Sequence, residues 1–317
     1  MVAAGEGRTP VSFASGINTV PPKILFQFDT DPAASTFDGV VAVDSGVEHL
    51  FRHGSVTPDN VTPLVHGAMF TRGGDALRST AIFVGGSDVA AAESVFKKAK
   101  SCFFGPVRVS VMLDANGCNT TAAAAVISAS KHVSFDGATV GVLGGTGPVG
   151  RRVAEMSAIQ GARVLVASRS IEKADEAVNA VRLRLSANDS GPGIQAVAVA
   201  SAVDAGKMLA QCDVVIACGA AGIELVDAKT LAEAPESLKV AIDLNAVPPA
   251  GLGGVGAMDK AKEQNGRFAY GAIGVGGLKM KIHRQSLCEL FEANDRVLDT
   301  AEILAIGKRI AASGLLT

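Results

Sequence analysis

The chain has 317 residues, 48% of them apolar and 19% charged, with a net charge of −2; that length allows two domains, and the charge balance argues against a polyanion-binding protein. With no Trp, one Tyr and 13 Phe, the composition also argues against stacking of nucleic-acid bases. No apolar run reaches the ~18 residues a membrane-spanning helix needs, and five scattered cysteines without C-x-x-C or metal-ligand spacing predict reduced thiols in a cytoplasm.

Residues 1–20 are rich in Gly and Ser, lack the basic and apolar regions of a signal peptide, and read as a disordered leader. Apolar runs then alternate with helical patterns to the end, which predicts parallel α/β architecture. "KILFQFDTD" (from Lys23) is a strand and Ser35–Asp44 a helix; "TPDNVTPLVHGAMF" opens a second helix with Thr57 as N-cap and Pro58 at its first position. "TAIFVGG" is a strand, "SDVAAAESVFKKAK" an amphipathic helix, "RVSVMLDANG" a strand and "NTTAAAAVISASKHV" a helix packed closely on a sheet. From Asp136 the strands "ATVGVLGG", "ARVLVASR", "QAVAVA", "DVVIACGA" and "KVAIDLNA" outline a dinucleotide-binding unit, with "SANDSGPG" (186–193) as a surface loop within it. Helical segments through "TAEILAIGKRIAAS" close the chain and rejoin the N-terminal part.

Gly145-Thr146-Gly147-Pro148-Val149-Gly150 is G-x-G-x-x-G, after a buried strand and opening a helix. In that context Gly145 permits the tight turn, Gly147 lets the backbone approach a pyrophosphate, and Gly150 lets the helix lie close to the strand. Pro148 suits the first helical turn, where its missing N–H costs nothing. The next strand ends in Ser168-Arg169-Ser170, with Lys173 just beyond, where such folds usually carry an acidic residue for the ribose hydroxyl. A guanidinium and hydroxyls bind a 2′-phosphate that a carboxylate would repel, so the cofactor expected is NADP. The plain alternative for Arg169 is a solvated surface cation.

The usual catalytic signatures are absent: no Y-x-x-x-K, G-x-S-x-G, H-E-x-x-H or Walker loop. His49, His53, His66, His132 and His283 show no metal-like spacing and read as surface or helix-end residues, so no metal is expected. A hydride transfer that needs no general base fits this inventory. Oxidation of a carbon held between two amine nitrogens is such a reaction, because the lone pairs stabilise the cation as hydride departs.

The chain resembles the bacterial NAD(P)-dependent methylene-tetrahydromethanopterin dehydrogenases in "LFQFDTD", "FDGVVAVDSG", "GSVTPDNV", "FTRGG", "STAIFVGG", "MLDANGCNTTAAA", "GGTGPVG", "DLNAVPPAGLGG" and "GAIGVGGLKMKIHR". These stretches span nearly everything from Lys23 onward. The resemblance implies that Lys279 is an active-site lysine and that Asp38 faces the pterin, where a carboxylate stabilises the amidinium product. It further implies that Asn119, Thr120 and Thr121 line the substrate cleft, and that Asn245, Pro248 and Pro249 lie by the nicotinamide. Lys281 competes with Lys279 for its role, Asp38 could instead be a helix N-terminal charge, and Thr120-Thr121 could simply cap a helix. The resemblance also implies a symmetric homo-oligomer. Distant similarity to methylenetetrahydrofolate dehydrogenase/cyclohydrolases is expected, but their Tyr–Lys arrangement has no counterpart here.

The expected plan is therefore an α/β protein with a Rossmann-type parallel-sheet NADP domain (126–277) and a second α/β substrate domain (21–125, completed by 278–317), with a cleft between them. The expected activity is NADP-dependent oxidation of methylene-tetrahydromethanopterin to the methenyl form in formaldehyde oxidation, with neither nucleic acid nor membrane as partner. The alternatives are a methylene-tetrahydrofolate dehydrogenase, a reductase of the shikimate-dehydrogenase type, and a non-catalytic NADP-sensing module.

Overall fold

The computed structural model describes residues 20–185 and 193–313; the expected leader, apart from Val20, and the expected loop, apart from Gly193, lie outside the described residues. In chain order the first part runs β1 (Ile24–Asp29), α1 (Thr36–Asp44), β2 (His49–His53), α2 (Val61–Phe70), β3 (Thr80–Gly85), α3 (Val89–Ser101), β4 (Ser110–Leu113) and α4 (Cys118–Ser130). Next come β5 (Thr139–Leu143), α5 (Pro148–Ile159), β6 (Arg163–Ser168), α6 (Ile171–Arg182), β7 (Ile194–Ala198), α7 (Ala202–Leu209), β8 (Val214–Ala217), α8 (Ala228–Ala232) and β9 (Val240–Asp243). A hairpin of β10 (Lys262–Gln264) and β11 (Arg267–Tyr270) leads into α9 (Ala272–Glu289), β12 (Val297–Leu298) and α10 (Thr300–Ala312).

Two sheets result. The first has the order β12-β4-β3-β1-β2, parallel throughout. Its edge strand β12 comes from the far end of the chain and pairs with β4. The second has the order β10-β11-β9-β8-β5-β6-β7, parallel except for the β10–β11 hairpin. Leaving β10 aside, that is the doubly wound order 3-2-1-4-5-6 of a Rossmann-type fold. Central strands β3, β4, β8 and β9 are buried at every residue, as strands covered by helices on both faces must be.

Helix α4 lies between the sheets. Ala122 to Ala125 are buried, as are Val126, Ile127, Ser128 and Ala129, so from Ala122 to Ala129 the helix has no solvent face. One continuous core runs from Leu25, Phe83 and Met112 of the first sheet through α4 to Val140, Val164 and Val214 of the second. Positions 125/126 and 277/278, where the sequence reading divides the chain, lie inside α4 and α9. A partly buried ion network ties the layers at one rim. Arg152 on α5 pairs with Glu93 on α3 and, at 3.4 Å, with Glu155. Arg184 reaches Glu155 and Asp299 at 2.9 Å each, and Asp299 caps α10.

Three local readings change. The second helix begins at Val61, because Thr57–Asn60 close a separate turn in which Asn60 Oδ1 accepts the Thr57 N–H at 2.8 Å. Strand β2 ("HLFRH") escaped notice because it is a largely exposed edge strand with no apolar run. The β10–β11 hairpin did carry a signal, Asn265-Gly266, and both residues have the positive φ (52° and 71°) that a tight hairpin turn requires.

The α4 packing has a direct test. A Cβ at Gly307 on α10 would lie 2.3 Å from Ile127 Cδ1 on α4. Valine there gains a few tenths of a kcal/mol in helix propensity at most, against about 1–3 kcal/mol for overpacking. Gly307→Val is therefore expected to lower the urea midpoint of unfolding.

Candidate active site

The carboxyl end of β1 is organised by Asp29, which is completely buried. Its Oδ1 accepts the Asp31 N–H at 3.0 Å and its Oδ2 the Ser35 N–H at 2.8 Å, which fastens the turn into α1. Ser35 caps that helix by accepting the Asp38 N–H at 3.3 Å. Asp38 is thereby held in the first turn, beside the end of β3. A Cβ built on Gly85 would lie 3.5 Å from Asp29 Oδ2 and 3.6 Å from Asp38 Oδ2. Burial pushes the Asp38 carboxyl up to about 6; the carboxyls of Asp114 and Asp29 act in the same direction, while Ser35 and Lys279 pull it back.

Lys279 arrives from α9. Its ammonium lies 4.5 Å from the centre of the Phe37 ring and 3.4 Å from His283 Nδ1. A Cβ on Gly117 would meet Lys279 Nζ at 3.4 Å and Thr121 Oγ1 at 3.7 Å. Lys281 is exposed, about 200° further round the helix, so Lys279 is the lysine that joins the acidic groups. His283 corrects the reading of the histidines as surface or helix-end residues: it sits in mid-helix, completely buried. It stands one turn from Lys279 on the inward face of α9 and stacks on Phe83 at 5.7 Å. Burial pushes it down to about 4, with the nearby lysine adding to the effect and Asp114 opposing it, so the imidazole is neutral at physiological pH.

Asp114, also completely buried, follows β4 and closes the start of α4. It accepts the N–H groups of Asn119 (2.9 Å) and Thr120 (3.0 Å) and the Thr120 hydroxyl (2.6 Å). Asn119 donates to the Leu113 carbonyl at 2.7 Å and accepts from the Thr300 hydroxyl at 3.2 Å. Asn119 and Thr120 have no exposed surface; of the three residues opening this helix only Thr121 keeps some. Asp29, Asp114, Phe37 and His283 were not singled out from the sequence. Aspartates ending apolar strands in "FDTD" and "MLDANG" were the available signal, since sites in parallel sheets form at the carboxyl ends of strands.

The carboxyl edge of the second sheet holds the glycine turn, where one assignment shifts by a residue. The left-handed position is Gly144 (φ 63°), so Gly144 rather than Gly145 supplies the tight turn. Gly145 and Gly150 are there for closeness: a Cβ on Gly145 would lie 2.8 Å from Val166 Cγ1, and one on Gly150 2.7 Å from the Gly145 Cα. A Cβ on Gly147 would meet nothing nearer than 3.9 Å. Thr146 and Val149 are half-buried, and Thr146 O accepts from Arg151 Nε at 2.9 Å. Helix α5 opens with Pro148 and has no side-chain cap at its N-terminus, which leaves its first N–H groups without a side-chain acceptor.

Ser168 ends β6, the exposed Arg169 follows, and Ser170 caps α6 by accepting the Lys173 N–H at 3.4 Å. Ser170 also donates to the carboxylate of Glu172, an acidic neighbour the sequence reading passed over. After β9, Asn245 Nδ2 donates to the Pro249 carbonyl at 3.0 Å and its Oδ1 accepts the Val247 N–H at 2.9 Å. These bonds brace a loop that presents Pro248 and Pro249, joined by a cis peptide, at the surface. Helix α9 links the two edges: it starts directly after β11, and Lys279 comes seven residues later, about 10 Å along the axis. Among the described residues no cluster of three or more His, Cys, Asp or Glu could hold a metal ion. All five cysteines are free thiols. No described helix is long and apolar enough to cross a membrane.

The N-terminal signature of methylene-tetrahydromethanopterin dehydrogenases matches residues 36–116. The bifunctional protein MdtA of Methylorubrum extorquens AM1 is 45% identical over 91% of this chain and 99% of its own length. The NAD(P)-dependent methylenetetrahydromethanopterin dehydrogenase of the same organism is 30% identical over 87% of this chain and 92% of its own. Among solved structures, aspartate transcarbamoylase from Trypanosoma cruzi in complex with phosphate superposes with a TM-score of 0.50 at 12% identity, covering 86% of this chain and 84% of that one. That last likeness is one of fold alone.

The acidic cluster makes a measurable prediction. Lys279 favours the charged form of Asp38, so Lys279→Met is expected to move the Asp38 titration above its parent value near 6. Carbon-13 NMR of the aspartate carboxyls checks it; an unmoved or lowered titration would disprove the coupling.

Proposed function

The chain belongs to the methylene-tetrahydromethanopterin dehydrogenase family, and from that membership we infer that it oxidises methylene-tetrahydromethanopterin to the methenyl form with NADP as hydride acceptor. A nicotinamide dinucleotide is the cofactor; the choice of NADP, the residues assigned below, a cytoplasmic location and a homo-oligomeric state are our reading.

The glycine turn fits such a cofactor. An uncapped helix N-terminus and the clear space at Gly147 suit a pyrophosphate, which the first N–H groups of α5 would bind. Gly145 to Gly150 form this cradle, and Asn245 holds the loop by the nicotinamide. Ser168, Arg169, Ser170 and Lys173 would bind the 2′-phosphate. That contact requires Ser170 to turn from the exposed Glu172. When bound, the nicotinamide supplies the acceptor carbon.

The observation that carries the substrate side is that Asp38 and Lys279 lie near enough at the carboxyl edge of the first sheet for the lysine to favour the charged carboxylate, one helix away from the glycine turn. Two further carboxyl groups, Asp114 and Asp29, and a single ammonium, Lys279, act on the Asp38 carboxyl, and His283 adds no charge. The site is therefore electronegative where the substrate carbon becomes cationic, which lowers the barrier to hydride departure. Asp38, partly exposed, faces that charge. Lys279 holds polar pterin atoms, with Thr121 beside it and Pro248 and Pro249 across the cleft. Asn119 and Thr120 act from below, by holding Asp114. In this reading 21–125 with 278–317 form the pterin side and 126–277 the nucleotide side.

An absorbance assay of NADP reduction, run with methylene-tetrahydromethanopterin and then methylene-tetrahydrofolate, tests the activity and the pterin preference. Losing one charge-assisted phosphate contact is worth about tenfold or more in affinity. Arg169→Ala is thus expected to raise KM for NADP by that factor and leave KM for NAD unchanged; equal effects on both would overturn the NADP assignment. Turnover by the parent should fall as pH drops below about 6, where Asp38 becomes protonated and neutral. Asp38→Asn should lower kcat by ~10²-fold and abolish that limb. A variant with parental turnover would remove Asp38 from the site.

A further inference from the structure

We propose that His283 is a positioning residue for the reaction: its Nδ1 accepts a hydrogen bond from the Lys279 ammonium and sets the direction in which the remaining N–H groups of that lysine meet the substrate. The proposal rests on the reading that Lys279 serves the substrate side.

The two residues are one helical turn apart on α9, with Nζ and Nδ1 separated by 3.4 Å. Among the described residues this imidazole is the only hydrogen-bond partner of Lys279, whose other contact is the face of Phe37. An ammonium has donors and no lone pair, so Nδ1 must be the acceptor and the ring proton must sit on Nε2. That Nε2 is buried without a partner. A buried, unpaired N–H is destabilising, and leucine or phenylalanine would fill the same space without it. What the imidazole offers in return is the Nδ1 lone pair.

Packing fixes the ring. It is completely buried, with Phe83 at 5.7 Å and Phe37 at 6.4 Å. The charged groups that act on it are Asp114 and Lys279. A neutral acceptor has a further consequence: it orients the ammonium without cancelling its charge, as a carboxylate in the same place would. The full charge of Lys279 then remains to bind polar substrate atoms and to offset the surrounding carboxyls.

A double-mutant cycle separates positioning from simple core packing. His283→Leu is expected to lower kcat about tenfold while KM for NADP stays parental, and to cost nothing further in a Lys279→Ala background. His283→Asn, which can place its amide oxygen near the position of Nδ1, should recover most of the loss. Melting temperatures of each variant accompany the rates. Equal losses in both backgrounds, or His283→Asn no better than His283→Leu at matched stability, would overturn the proposal. Parental turnover by Lys279→Ala would instead overturn the assignment of the lysine, and the proposal with it. The unaltered protein gives an independent reading: nitrogen-15 NMR should show His283 as the Nε2–H tautomer, and a Nδ1–H tautomer would refute the hydrogen bond.

Discussion

Helix α4 is the constraint on which the rest of the molecule depends. From Ala122 to Ala129 it has no solvent face, so every side chain there must be small or apolar enough to let neighbours approach from all sides. Its alanines let α5, α9 and α10 come close, and Gly307 admits the tip of Ile127 where any Cβ would collide. The two sheets share a core because this helix lies between them. Dispersion and burial, rather than polar contacts, therefore set their spacing; the Arg152–Glu155–Arg184–Asp299 network acts at one rim of that interface.

The same helix places chemistry. Its N-terminus is closed by Asp114, so the carboxylate that anchors the helix also contributes to the field felt by Asp38 and His283. Asp29 does equivalent work for α1. Each takes backbone N–H groups as partners, which stabilises a buried carboxylate locally. Asp38 has fewer such partners and more solvent, and its carboxyl is raised to about 6.

The two carboxyl edges offer opposite electrostatics. The second sheet presents an uncapped helix N-terminus with Arg169 and Lys173 nearby, a surface for anions. The first presents Asp38, on which the carboxyls of Asp29 and Asp114 and one lysine act. A dehydrogenase that uses an anionic dinucleotide and generates a cationic product needs both signs, kept apart. Helix α9 spans the interval, starting at one edge and delivering Lys279 and His283 to the other.

Much of this was legible in the sequence because it depends on local pattern. Alternating apolar runs fix a parallel α/β chain, G-x-G-x-x-G marks a strand turning into a helix, and Ser168-Arg169-Ser170 ends the next strand; all three follow from residues near one another in the chain. The helix start at Val61 and the left-handed residue Gly144 each differ from the sequence reading by a few residues or fewer, since such boundaries turn on a single hydrogen bond or one φ angle. Strand β2 had no apolar signature to read. What only the tertiary structure decided is which distant residues meet. Asp29, Asp38, Asp114, Lys279 and His283 come from three elements and the loop after β4, and nothing in their spacing says that they lie near one another. A histidine in mid-helix reads as unremarkable until packing takes away its solvent, leaves one nitrogen unpartnered and brings the other to a lysine.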